Sequence, residues 1–117
     1  MKTVNIKETF GFTRKERITY PQDFKRVMKT GRKLASRNFI LFMKENEGEF
    51  HRLGVVVSKE VGAATYRNRI KRVCREFFRL HKHQIKGAFD IIIMAKKGCN
   101  LKKYVDAKKE LGRVFAL

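Results

Sequence analysis

The sequence predicts an α+β domain, a single compact two-layer α/β sandwich in which helices cover a small mixed sheet. Two observations predict the layers. Three apolar stretches rich in β-branched and aromatic residues, Phe39 to Met43, Leu53 to Val57 and Phe89 to Ala95, are too short to be helices. Around them lie three segments whose apolar residues recur every three or four positions. A third observation sets the scale: 117 residues, 43% hydrophobic, with one proline and no low-complexity tract, suit one packed unit. The whole chain, 1–117, therefore reads as one domain, with 1–13 as a flexible basic arm.

The arm carries Phe10 and Phe12 and runs into Arg14, Lys15 and Arg17. Thr19 and Gln22 then stand at capping-box spacing, Pro21 suits a first turn and Gly31 a C-terminal stop, which predicts a helix over 20–30. Its Tyr20, Phe24, Val27 and Met28 share one face. Residues 33–44 read as one strand, the polar cluster at 45–49 as a hairpin turn, and 51–59 as the return strand. Alternation puts Leu53, Val55 and Val57 on one face of that strand and Gly54, Val56 and Ser58 on the other. A long basic helix follows over 63–84, then a third strand over 89–95. After Asn100, a candidate N-cap, a final helix bears Leu101, Tyr104, Val105, Leu111 and Phe115 on its apolar side.

Charge narrows the function. The chain holds 29 Lys and Arg against 11 Asp and Glu, a formal charge of +18. At this size such an excess strains the compact state by self-repulsion unless an anion shares the surface, so a polyanionic partner, nucleic acid above all, is expected. The longest unbroken apolar run, Phe39 to Met43, is far short of a membrane span, and the N-terminus lacks the apolar core of a signal peptide, so a cytoplasmic location with no membrane partner is expected. Cys74 and Cys99 form no CxxC pair and read as buried reduced thiols.

The stretch ATYRNRIKRVCREFFR, residues 64–79, concentrates that charge. On a helix, Tyr66, Ile70, Val73, Cys74 and Phe77 form one apolar stripe that faces a sheet. Asn68, Arg72, Arg75 and Arg79 fall on the opposite line. A merely solvated face interleaves acids at i and i+4, and here only Glu76 is available. Arginine's planar fork grips phosphate oxygens with two hydrogen bonds and stacks on bases, so a phosphate backbone is the natural ligand.

Arg67-Asn68-Arg69 followed by Ile70-Lys71-Arg72, preceded by Gly54-Val55-Val56-Val57-Ser58-Lys59 and a Gly62-x-Ala64 turn, resembles the signature of the bacterial ribonuclease P protein subunit. Phe24, Val27, Gly31, Arg37, the Phe39 to Phe42 strand and Phe89 to Ile93 extend the likeness to residues 14–115. The resemblance implies a fold like the second domain of ribosomal protein S5, with a left-handed βαβ crossover against the usual right-handed rule. It implies no catalytic residue and no tightly bound metal in this chain. A large RNA subunit with bound Mg²⁺ would cleave precursor tRNA, with one protein per RNA. Arg67, Asn68, Arg69, Lys71, Arg72, Arg75 and Arg79 would meet the catalytic RNA. A cleft of Tyr20, Phe24, Met28 and Phe42, with Arg14 and Arg17 and with Arg67 and Lys71 on a neighbouring flank, would hold the single-stranded 5′ leader, since any base stacks on an aromatic face. Met28 stands where the family often has another aromatic, and Phe42 where a tyrosine occurs, which offers less stacking and one fewer hydroxyl.

Carboxylates that a protein nuclease would need are scattered or gathered in the turn at Glu45, Glu47 and Glu49. His81 and His83 splay apart on a helix, and His51 reads as a rim residue. Two other classes compete. A ribosomal or other structured-RNA-binding protein would share the charge without associated cleavage, and a helix-turn-helix DNA binder would need a short helix just before the long one.

Overall fold

The computed structural model describes residues 11–101 and 103–116, and the backbone alone of Tyr104. Residues 1–10 of the expected arm, with Phe10, and the Tyr104 side chain lie outside them. Helix α1 spans Pro21–Thr30, α2 Ala64–His81 and α3 Tyr104–Val114; strands β1 to β4 span Arg32–Ala35, Phe39–Glu45, Arg52–Val56 and Phe89–Ala95. Short 3₁₀ turns lie at Arg14–Glu16, Lys59–Val61 and Lys82–Gln84. The α+β class and the three helices agree with the sequence reading.

The sheet has the order β1-β2-β4-β3, and this overturns the predicted hairpin between 33–44 and 51–59. Strand β4 pairs antiparallel with β2 along its whole length and parallel with β3, so it stands between the two strands the hairpin would have joined. Physics favours this place: Ile91, Ile92 and Ile93 are apolar on both faces, and only an interior strand buries both. The polar loop from Asn46 crosses the end of β4 instead, Asn46 N–H donating to Ala88 O at 3.0 Å.

The single strand predicted over 33–44 is two. Ser36 to Asn38 turns the chain back, Ser36 N–H donating to Phe39 O at 2.8 Å, and β1 pairs antiparallel with β2. Glu110 of α3 holds the turn: its carboxylate accepts from Asn38 N–H at 2.6 Å, Asn38 Nδ2 at 2.7 Å and the Ser36 hydroxyl. Two predicted caps also move. Tyr20, not Thr19, precedes α1 and supplies no side-chain bond, while Pro21 opens the helix as expected. Lys103, not Asn100, precedes α3, and Asn100 N–H instead donates to Asn38 Oδ1 at 3.1 Å. Gly31 ends α1 as predicted; a Cβ there would lie 2.5 Å from Val27 O.

Two cores result, one on each face of the sheet. Leu41, Leu53, Val57, Ile91 and Ile93 pack under Ile70, Cys74 and Phe77 of α2 and Ala107 and Leu111 of α3. On the other face Ile18, Val27, Phe42 and Ile92 form a smaller cluster under α1. Each buried Ile or Leu removes enough apolar surface to contribute about 1.5–3 kcal/mol. Among the described residues no helix is long and apolar enough to cross a membrane.

Candidate nucleic-acid interface

The apolar stripe read from the sequence is what docks α2. Ile70, Cys74 and Phe77 are buried, with Phe78 added, and Tyr66 and Val73 are half-buried. Tyr66 hydroxyl donates to Cys99 O at 2.8 Å and accepts from Leu101 N–H at 3.0 Å, fixing the helix to the chain after β4. Burial pushes both thiols up, Cys99 to about 11 and Cys74 further, so both stay protonated and free, as the sequence reading has them.

Asn68, Arg69, Arg72 and Arg75 are exposed on the other side of α2. Among the described residues neither Arg72 nor Arg75 has an ion-pair partner. Arg79 differs from the predicted row: it is half-buried and paired with Glu76, its Nε donating to Glu76 Oε2 at 3.3 Å. Arg67 turns back, its Nε donating to Gly62 O at 3.1 Å, and Lys71 is half-buried.

The predicted cleft lies on the opposite face of the sheet. Register sets its floor in three rows across β2, β4 and β3: Ile40, Met94 and Val56; Phe42, Ile92 and Gly54; Lys44, Asp90 and Arg52. α1 covers the middle row. Gly54 permits this, because a Cβ there would lie 2.5 Å from Phe24 Cε1, so only glycine lets the ring lie on β3. Phe24 and Met28 are half-buried beside this row, Phe42 is buried, and Tyr20 stands 64% exposed. Phe42 thus serves the core, and the open stacking surface is Tyr20 and Phe24. The first row, Ile40, Met94 and Val56, stays partly exposed, and sequence reading missed it: only the sheet order brings these three into line.

α2 does not flank this cleft directly, since α1 and α2 cover opposite faces. Yet the open row lies at the end of the sheet where β3 leaves for Lys59–Val61 and the start of α2, so the Arg67 to Arg69 segment begins at the same edge. Arg14 and Arg17 are exposed, and Arg17 joins the α2 side: its guanidinium lies 4.7 Å above the Phe12 ring, which packs edge-on against Phe78 at 5.5 Å. The neighbouring Ile18 alternates onto the cleft face and is buried there.

In the third row, Asp90 and Arg52 join an ion cluster with α1. Arg52 donates to Asp90 through Nε at 2.8 Å and Nη2 at 2.6 Å, Arg26 reaches Asp90 at 3.2 Å and Asp23 at 3.3 Å, and Asn46 Nδ2 donates to Asp90 at 3.0 Å. Burial pushes the Asp90 carboxyl up, but the hydrogen bonds from Arg52 and Asn46 and the charges of Arg52 and Arg26 hold it below the ordinary range.

His51 corrects another expectation. It is buried, not on the rim: Nε2–H donates to Ile85 O at 2.7 Å and Nδ1 accepts from Phe89 N–H at 2.9 Å, so both ring nitrogens serve the backbone. Among the described residues no three His, Cys, Asp or Glu side chains gather where they could hold a metal ion.

A mixed four-stranded sheet, a docked helix whose Arg72 and Arg75 are exposed and unpaired among the described residues, and a grooved second face define an α+β protein with a cationic helix face. The family model described as Ribonuclease P matches residues 12–116. The Ribonuclease P protein component of Syntrophus aciditrophicus is 38% identical over 112 residues, covering 96% of this chain and 89% of that one; the counterpart from Fusobacterium nucleatum is 42% identical over 97 residues, covering 80% and 87%. Among solved structures, the Staphylococcus aureus RNase P protein superposes with a TM-score of 0.80 at 37% identity, covering 86% of this chain and 93% of that one. The Thermotoga maritima protein gives 0.77 at 30%, covering 87% and 97%. The chain belongs to the bacterial ribonuclease P protein component family, the protein partner in the ribonuclease P ribonucleoprotein.

Proposed function

We propose that this chain binds the catalytic RNA of ribonuclease P and the 5′ leader of precursor tRNA, one protein per RNA, and assists Mg²⁺-dependent removal of the leader in the cytoplasm. Arg72 and Arg75 of α2, unpaired among the described residues, carry the reading. Arg72 and Arg75 with Asn68 form a donor row on a helix anchored by a buried stripe, which favours phosphate oxygens of a folded RNA.

The second face supports leader binding. Tyr20 and Phe24 offer sequence-tolerant stacking, and the row of Ile40, Met94 and Val56 offers an apolar floor at the edge where the Arg67 to Arg69 segment begins. One groove and one ridge thus address a single strand and a folded RNA from opposite faces. On this reading the Mg²⁺ sits on the RNA, and the protein's own side chains bind and orient nucleic acid while the RNA cuts.

Reconstitution tests it. Added to ribonuclease P RNA at low Mg²⁺, the protein is expected to raise the rate of precursor-tRNA cleavage; no gain at any protein concentration would overturn the reading.

A further inference from the structure

The sequence treats the N-terminal segment as a loose arm, but its described part is built into the fold. Glu16 and Lys82 form an ion pair at 2.5 Å, with side chains only 10% and 7% exposed, 66 residues apart. Glu16 also accepts from Thr13 N–H and Thr13 hydroxyl, each at 3.0 Å, and Lys82 Nζ donates to Gly11 O at 2.5 Å. Both Glu16 carboxylate oxygens and the Lys82 ammonium are hydrogen-bonded, so residues 11–17 are held against the end of α2.

The knot has one geometric product. It sets Phe12 on Phe78, with the Arg17 guanidinium stacked over the ring, at the margin of the arginine row. Phe12 then closes a cleft of about 350 Å³ whose other walls are Asn68, Arg72, Arg75, Glu76 and Arg79. Glu76 brings no net repulsion, since Arg79 neutralises it.

An aromatic ring stacked with a guanidinium, beside arginines with no acidic partner among the described residues, is the pairing that one nucleotide needs. We propose that this cleft takes one unpaired nucleotide of RNA, its phosphate on Arg72, Arg75 and Asn68 and its base against the Phe12–Arg17 stack, and that Glu16 and Lys82 are the positioning residues that hold the platform. The proposal rests on the reading of α2 as the RNA-binding helix and adds to it a base contact and a second wall.

The test measures the affinity of the full chain for ribonuclease P RNA over a range of salt. Phe12→Leu keeps packing on Phe78 but removes the stacking face, so binding is expected to weaken about five-fold or more with the salt slope unchanged, because stacking releases no counterions. Arg72→Ala is expected to flatten the slope by about 0.7–0.9. The two together should lose less than the product of the single effects, since both act on one nucleotide. Replacing Glu16→Gln and Lys82→Met jointly should reproduce the Phe12→Leu loss in protein that melts cooperatively; a purely structural pair would lower the melting temperature and leave the affinity of folded protein intact. Should Phe12→Leu not fold, Arg17→Ala, which truncates an exposed side chain, carries the test with an expected loss of about two-fold or more.

Wild-type affinity in Phe12→Leu, or in Arg17→Ala where that variant stands in, removes the pocket while Arg72→Ala keeps its effect. An unaltered slope in Arg72→Ala as well places the failure in the underlying assignment of α2.

Discussion

Two arginine clusters lie on opposite faces of one sheet, and their surroundings differ in a single respect. Beside α1, Arg26 and Arg52 converge on Asp90 and Asp23, and every charge has a partner. Along α2, Arg72 and Arg75 are exposed and, among the described residues, unpaired. The first cluster ties the N-terminal half of α1 to β3 and β4; the second, on the proposed reading, is left for RNA. A net charge of +18 therefore does not map the binding surface. On the proposed reading, the positions where that charge is left uncompensated do.

The comparison can be broken from the paired side first. Asp90→Ala removes the acceptor of four hydrogen bonds and leaves Arg52 without its main partner, so unfolding in denaturant should show a loss of about 2–3 kcal/mol. The RNA salt slope of the folded fraction should not change. A stable Asp90→Ala protein with weakened RNA binding would make the paired cluster part of the interface.

Acid titration sharpens the same contrast. Asp90 and Glu16 both sit below their ordinary values of 3.8 and 4.5; in Glu16 burial pushes up, and hydrogen bonds from Lys82 and Thr13 outweigh it. A lowered folded-state pKa contributes stability that is fully present above the unfolded value. That stability is lost as pH falls below about 4.5 and through the folded values. Denaturation midpoints should hold from pH 7 to pH 5 and drop below that, less steeply in Asp90→Asn; an identical profile in that variant would separate Asp90 from the effect.

The smallest effect belongs to a pair that resembles the others on paper only. Lys97 and Glu60 meet at 2.7 Å, but their side chains are 78% and 61% exposed, so Lys97→Ala should move the unfolding free energy by less than about 1 kcal/mol. A larger loss would mean that exposure is a poor guide to which pairs matter here.

What could be read from the sequence follows the range of each interaction. The α2 stripe and its arginine line are periodic within one helix, and the structure reproduces them apart from Arg79, whose pairing with Glu76 needed only three residues of separation. The stretch 53–57 alternates as expected, with Leu53, Val55 and Val57 facing α2 and Val56 facing α1. The sheet order was not legible, because nothing in the Glu45 to Glu49 loop says that β4 will come between its flanking strands. The turn at Ser36 to Asn38 carries a local polar signal in Ser36-Arg37-Asn38 that the reading of 33–44 as one strand passed over, and what stabilises it is Glu110, more than 70 residues away. Phe42, read as a stacking surface, is buried because the register sets it between Ile92 and β1 beneath α1. The Glu16–Lys82 pair left no local trace at all.

The salt dependence of RNA binding tests the central claim most directly. With Arg72→Ala and Arg75→Ala combined, the slope of log K against log salt should fall by roughly 1.4–1.8, two phosphate contacts' worth, while Arg26→Ala leaves it in place. An unchanged slope in the α2 double variant, with a fall in Arg26→Ala, would contradict the account.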